Sequence, residues 1–503
     1  MAFFKKLTPF GRLTFIVIIV AALGFAAYKL TDGGKNVPSI GNSYDAELLV
    51  DTYTGWAPIV WGNGGKDGST DSYFYKKFGV RLHIIQMDDF DGATSYWKEH
   101  ENALRFCTLD SYPVEASQSG TMTDARYFVI HNFSAGADAI VATKNIKTVA
   151  DLRGKKIACS EGSASHSLLL NTLEASGLKG SDVEVITTGY GSDVATAFKA
   201  GAVDAAVVFC PDDDACIKNV PGTHVLTSTK QANTLVTDGF LAHTNWLTKN
   251  SDKAQRIAEA LLWANSEMTN SEDTYKDVCK AFSEAFDVPL EDVLTVGEKI
   301  NFATLEDNVN WFGLNTDYNG ITGENLYTKM SQVYGGLGLA KATLPWRKIS
   351  DVSVVESLMS ETTLTNNQSA NGTKERTFDA PSQEVKTAPA LSQKKVVINF
   401  PINGYSLSAD AETIINREFL SVVKQFNNVY VRIEGNTDNT GNYNSNVALS
   451  QKRAQSVADY LVRMGADANR FIVVGNGPDH AIKDGIVGSS QDYRTTDLML
   501  IAE

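Results

Sequence analysis

Near the C-terminus an aspartate and an arginine stand at a spacing suited to reading a small charged ligand. The run Ile433-Glu434-Gly435-Asn436-Thr437-Asp438-Asn439-Thr440-Gly441 leaves a strand-like stretch, and Asn446 and Leu449-Ser450-Gln451-Lys452-Arg453-Ala454 follow it. Asp438 falls at the strand end, where its carboxylate can project into a loop-lined pocket. Arg453 falls in the second turn of the next helix and can face the same pocket. A carboxylate with a guanidinium is the minimal complement for a ligand that carries both an ammonium and a carboxylate, and arginine grips the latter bidentately with fixed geometry. Thr437 and Asn446 would orient the pair. Taken as two residues alone, a structural salt bridge between Asp438 and Arg453 is the commoner outcome.

A second group of candidates precedes residue 215. Ser163, Ser165 and His166 stand at a helix start, where free N–H groups and the helix dipole favour an anion. Trp56 can stack on a ligand. Asn132 and Ser134 lie in the segment Phe128 to Gly136, which crosses between lobes, and Asp212 follows a strand and can read a donor. Each has a plainer reading: N-capping for the serines, helix packing for His166, core for Trp56, a solvated loop for Asp212-Asp213-Asp214. That acidic run lacks the spaced oxygen ligands of a hard-metal site. The five cysteines, Cys107, Cys159, Cys210, Cys216 and Cys279, contain no Cys-x-x-Cys, so neither a metal nor a cofactor is expected. Cys210 and Cys216 can close one small loop in an oxidising compartment or remain buried thiols; both readings stay open. Ser165 and His166 are helix neighbours that do not face each other, and Gly-x-Ser-x-Gly and His-Glu-x-x-His are absent, so the chain does not read as an enzyme.

These residues need elements to hold them. From about Asp45 to Trp346 strand-like and helix-like stretches alternate, most clearly from Thr148 to Pro211. Such alternation implies α/β lobes with parallel sheets and right-handed crossovers, holding ligands beyond the strands' carboxyl ends. The helical stretch Asp252 to Ala342 reads as extra covering of the first lobe, with docking of a partner as the alternative. Residues 347–394 are rich in Ser, Thr, Asn and Gln and carry Pro381 and Pro389, a composition that buries too little apolar surface to fold and reads as a flexible linker. As a coil its 45-odd residues would average roughly 35–40 Å end to end. Residues 395–503 read β-α-β-α-β, starting with a strand at Val396 to Phe400. At the other end, Lys5, Lys6 and Arg12 precede the uncharged stretch Leu13 to Tyr28. Charge on that side orients an apolar segment with its N-terminus inside, so residues 1–35 are expected to form a membrane anchor, with an uncleaved single-pass helix preferred over a signal peptide. With 503 residues and a net charge of −14, two or three domains are expected and nucleic acid is not an expected partner.

The C-terminal motif, with the Gly475-Asn476-Gly477 turn, resembles the peptidoglycan-binding domain of the outer-membrane protein A family over the last hundred-odd residues. The resemblance implies that Asp438 and Arg453 hold the diaminopimelate of a cell-wall stem peptide, with Thr437 and Asn446 beside them. One departure stands out: family members often carry two successive arginines before the last strand, and here Tyr493-Arg494-Thr495 has one. Gly136 to Ala142, Asp151 to Lys156, the turn Gly162 to Leu170, Gly55-Trp56-Ala57-Pro58 and Gly201 to Ala206 resemble periplasmic solute-binding proteins of the sulfonate, taurine, nitrate and thiamine-precursor type. That resemblance implies a small anionic solute. The combined expectation is an inner-membrane-anchored protein, bulk periplasmic, that binds peptidoglycan and a solute. A membrane-embedded partner is expected, and a homodimer stays open. The alternative is a stator-like subunit of an ion-driven motor, although an ionisable group inside the span, which such a subunit needs, is missing from Leu13 to Tyr28 and the nearest acid is Asp32.

Overall fold

The most apolar strand-like runs become strands buried on both faces. The computed structural model describes residues 44–120, 123–189, 191–364 and 367–502. The expected anchor, Leu13 to Tyr28, lies outside the described residues; among those described, no helix is long and apolar enough to cross a membrane. Everything below concerns the unit Asp45–Glu503.

Chain order explains the two lobes. Strands β1 (Ala46–Val50), β2 (Leu82–Gln86), β3 (Ala103–Thr108) and β4 (Ala125–Ser134) build the first sheet. The chain then crosses to a second sheet made of β5 (Asp138–Ala142), β6 (Lys156–Cys159), β7 (Glu184–Thr187), β8 (Ala205–Phe209) and β9 (His224–Ser228). It crosses back for β10 (Thr237–His243) and β11 (Ile300–Phe302). The sheet orders are β11-β4-β10-β3-β1-β2 and β7-β6-β8-β5-β9. The expected parallel pairing holds for β1 with β2 and β3, and for β6 with β7 and β8. The strands next to the crossings, β4, β5, β9 and β10, pair antiparallel because the chain enters and leaves each lobe beside itself.

The helices Ser251–Asn270 and Glu272–Phe286 pack on the helix Ala57–Asn63 and cover the first lobe, as expected for this stretch. The helix Gly323–Gly336 does more. It lies on the helix Tyr112–Ser119 of the first lobe, while its Tyr334 hydroxyl reaches the Ser167 hydroxyl at 2.8 Å and donates to the Ser163 carbonyl at 3.1 Å in the second.

Residues 347–394 are not a coil. The helix Ser353–Glu361 packs on the helix Ser251–Asn270 and on β4, with Val354, Val355 and Leu358 in the core. Thr363 donates its amide and hydroxyl to buried Glu259. The Gln368 side chain accepts from the Leu305 amide at 2.9 Å and donates to Ser266 at 2.6 Å. Asn371 and Thr373 donate to Asp307. The polar composition misled because it measures apolar area alone. This segment is held by satisfying carboxylates buried elsewhere, and a few apolar residues complete the packing.

Beyond it, β12 (Ser392–Val396), β13 (Tyr430–Asn436), β14 (Phe471–Gly477) and β15 (Thr496–Ile501) form a third sheet in the order β12-β15-β13-β14. The first strand ends where it was expected to begin: β12 pairs along β15 from Ser392 to Val396, and the following residues turn into a loop. The long helix Tyr443–Arg463 lies so close to β13 and β14 that a Cβ on Gly435 would stand 2.2 Å from the Ser450 carbonyl oxygen. This domain abuts the second lobe: the Val149 amide donates to Leu391 at 3.1 Å, and Asn428 donates its side chain to Lys230 at 2.8 Å.

Candidate functional sites

The C-terminal site is built at the end of β13. Asp438 is 3% exposed. Its Oδ1 accepts from the Thr440 hydroxyl; its Oδ2 accepts from the Ser490 amide at 3.2 Å and from Arg494, at 2.7 Å from Nε and 2.6 Å from Nη2. Burial pushes the carboxyl upward, but the donors from Thr440, Arg494 and Ser490 outweigh it and hold the carboxyl below its ordinary value. Asp438 is therefore a fixed anion at neutral pH. Arg453 makes no salt bridge to it. Its Nε and Nη2 donate to the carbonyls of Gly404 and Pro401 at 3.1 and 3.3 Å, and its guanidinium lies 5.0 Å from the Phe400 ring centre. Burial first, then the neighbouring Arg494, lower its proton affinity, while Asp438 raises it.

Thr437 and Asn446 hold the loop. The Thr437 amide donates to Gly477 at 2.7 Å, and Asn446 donates to the Thr440 carbonyl at 2.7 Å. The residues not foreseen here are Thr440, Ser490 and Arg494. The sequence pointed to Arg494 only as a lone arginine where two were expected; its bond to Asp438 depends on the loop 484–494 folding back.

The second site is a cleft of about 510 Å³ between the lobes. Trp56, Ser163 and Ser165 line it; Asn132, Ser134, His166 and Asp212 do not. Asn132 sits mid-strand in β4 and donates to the Gly55 carbonyl at 3.4 Å, steadying the turn that presents Trp56. Ser134 pins the crossings: its hydroxyl meets that of Thr229 at 2.8 Å, and the Thr229 hydroxyl accepts from the Gly136 amide at 2.9 Å. His166 is 3% exposed, its Nδ1 accepts from the Gly162 amide at 3.1 Å, and burial lowers its pKa to about 4. It shapes the turn as a neutral ring. Asp212 lies in the first turn of the helix Asp212–Asn219, half-buried.

The run Asp212-Asp213-Asp214 is no simple solvated loop. Asp213 is buried and bonds Lys299 Nζ at 2.9 Å. Ligating atoms of Cys210, Asp213 and Asp214 lie within 4.8 Å of one another, but the Lys299 ammonium already sits among them, 3.2 Å from the Cys210 sulfur. All five cysteines are buried free thiols, so the Cys210–Cys216 bridge is not formed.

The cleft contains acids that sequence reading missed. Asp51 follows β1, Asp138 opens β5 and Asp238 is the second residue of β10; all three line the cleft. Trp56 Nε1 donates to Asp51 at 2.7 Å and the Thr108 hydroxyl donates to Asp238 at 2.7 Å. Burial pushes Asp51 and Asp138 up to about 6 and drives Asp238 well above its usual value. Asp51 and Asp138 stand at strand ends beside the lobe boundary, a signal the sequence carried but which has no motif. Tyr53, Phe90 and Phe106 add aromatic wall.

Two lobes joined by two crossings around a cleft, with a four-stranded α/β domain behind, define an α/β binding-protein fold carrying a second binding module. Residues 70–274 match the NMT1/THI5 like family and residues 399–494 match the OmpA family. The chain joins an NMT1/THI5-like solute-binding domain to a C-terminal OmpA domain. It is 39% identical over 106 residues to a putative aliphatic sulfonates-binding protein of Escherichia coli, covering 21% of this chain and 32% of that one. Against the peptidoglycan-associated lipoprotein of Rhizobium meliloti it is 32% identical over 104 residues, covering 20% and 58%. The chain thus spans about a third and somewhat over half of these curated relatives. The solved periplasmic aliphatic sulphonate binding protein SsuA of Escherichia coli aligns with a TM-score of 0.49 at 19% identity, over 61% of this chain and 97% of that one.

Proposed function

We propose that this protein is a cell-envelope binding protein: its two-lobed domain captures a small solute, and its C-terminal domain holds peptidoglycan through Asp438, Arg453 and Arg494, with Thr437 and Asn446 shaping the loop. The observation that carries the reading is the ionic constellation at the end of β13. A carboxylate held ionised by three donors stands near two guanidiniums, one of them, Arg453, bound only to backbone carbonyls. That arrangement leaves a carboxylate to receive an ammonium and a guanidinium to receive a carboxylate, the two ends of a diaminopimelate-type residue. The OmpA match and the wall-associated relative support it. Catalysis is not part of the proposal.

The solute half rests on the cleft, and the sulfonate-binding relative makes an anionic solute the family-based expectation. Because residues 347–394 are packed rather than slack, the wall-binding domain is coupled to the second lobe. That favours sensing or scaffolding over a freely diffusing carrier. Anchoring by Leu13 to Tyr28 in the inner membrane, with the bulk periplasmic, belongs to the same proposal. The test is co-sedimentation of the full chain with peptidoglycan sacculi. Arg453→Ala is expected to weaken pelleting at least tenfold (about 1.4 kcal/mol) with the far-UV circular dichroism unchanged. Wild-type protein that stays in the supernatant would sink the wall-binding half.

A further inference from the structure

The charge of the cleft lining is one-sided. Seven lining residues are Asp or Glu, and among the described residues that line it none is Lys or Arg. Of the seven, Glu115 is paired with Arg105, which does not itself line the cleft, and Lys299 is paired with Asp213 outside the lining. Asp138 and Asp238 are 8% and 6% exposed, so both are largely removed from bulk water. Asp238 receives one hydrogen bond on Oδ1, from Thr108, and among the described residues none on Oδ2. Ser134 is the hydroxyl that approaches Asp138.

Desolvated carboxylates without counterions are costly, and each raises the cost of the others. Asp51, Asp110 and Asp138 all act on Asp238 in this sense. Such an arrangement becomes favourable only when a positive charge enters. The wall chemistry agrees, because Tyr53, Trp56, Phe90 and Phe106 also line the cleft, and the faces of aromatic rings attract cations. The helix starts at Ser163 and Ser192 contribute N–H groups, but Glu161 stands in the same lining. An incoming sulfonate or carboxylate would meet this acidic lining, in which, among the described residues, no Lys or Arg stands to receive it.

We infer that the cleft of this chain selects a small organic ammonium, with Asp138 and Asp238 as its charge-reading residues and the Tyr53–Trp56–Phe106 wall receiving its apolar body. This rests on the solute-binding reading of the cleft and reverses the charge its sulfonate-binding relatives suggest.

The test is a thermal-shift and calorimetric screen of the full chain. Ammonium probes are putrescine, spermidine, phenethylamine and choline; anion probes are methanesulfonate, benzenesulfonate, benzoate and nitrate. At least one ammonium probe is expected to bind and no anion. Asp138→Asn and Asp238→Asn should each weaken that binding tenfold or more while raising the unliganded Tm, since they relieve repulsion. A purely structural aspartate would lower both. Binding of anions alone overturns the inference and leaves the solute-binding reading standing. If no probe of either class binds and native mass spectrometry finds no retained small molecule, the inference and the solute-binding reading fall together.

Discussion

Asp307→Ala should free the strap 362–377 from the two-lobed domain. Asp307 is fully buried and collects donors from two directions. Its Oδ2 accepts from the Thr304 amide and hydroxyl at 2.9 and 3.0 Å, capping the helix Leu305–Trp311. Its Oδ1 accepts from the Thr373 amide and hydroxyl, both at 2.7 Å, and the Asn371 amide bridges both oxygens at 3.1 and 3.0 Å. Loss of the cap costs about 1 kcal/mol. Each buried donor left without a partner costs about 1–3 kcal/mol before water enters. With three donors from the strap, and non-additivity among neighbours, the net is about 3–5 kcal/mol. The segment keeps other contacts, Ala370 to Glu306, Asn371 to the Phe302 carbonyl and Arg376 to Asn428, so the loss appears as local opening around Asn371 and Thr373. Amide exchange at Asn371 and Thr373 should accelerate by roughly 10²–10³-fold. Limited proteolysis should cut within 362–377, and exchange in β13 should change far less. Unchanged exchange at Thr373 would refute the account of how so polar a segment is ordered.

The buried acid Asp110 predicts an unusual pH response. Burial pushes it up to about 7, although the Ser167 hydroxyl and the Thr237 amide approach it and pull the other way. The folded chain therefore holds a proton that the unfolded chain releases near pH 4, so this group's contribution to stability falls as pH rises from about 4 to about 7. Asp110→Asn should raise stability in urea by on the order of 4 kcal/mol at pH 7.5, at about 1.4 kcal/mol per pH unit, and add little near pH 4; equal gains at both pH values would contradict the assignment. In the C-terminal domain, Gly435→Ala places a methyl against the Ser450 carbonyl. It should cost about 1–3 kcal/mol by displacing the helix that carries Arg453, weaken sacculus binding and accelerate exchange in β13; unaltered binding would show that the close approach is dispensable.

Much of the site at β13 was legible in the chain. Asp438, Thr437, Asn446 and Arg453 lie within seventeen positions of one another, so one strand, one loop and one helix suffice to assemble them. Arg494 was visible but had no role, because its bond to Asp438 closes a span of 56 residues. The solute candidates divided on the same principle. Trp56, Ser163 and Ser165 were placed from local turn chemistry and do line the cleft, whereas the Asn132 side-chain amide, Ser134 and His166 turn to backbone and hinge contacts outside it. Nothing in Asp51, Asp138 or Asp238 taken singly separates them from surface acids.

Local pattern was enough for the alternation of strands and helices and for the order of the two-lobed and C-terminal domains, since each depends on periodicity or on neighbours a few residues apart. Tertiary structure alone decided three things. It packed 347–394 as a strap rather than a tether, because partners for its polar groups, Glu259 and Asp307, come from distant helices. It turned Asp438 toward Arg494. And it brought three acids, one after β1 and one beside each crossing, into one cleft, where the loss of water, which no sequence window records, raises their proton affinity.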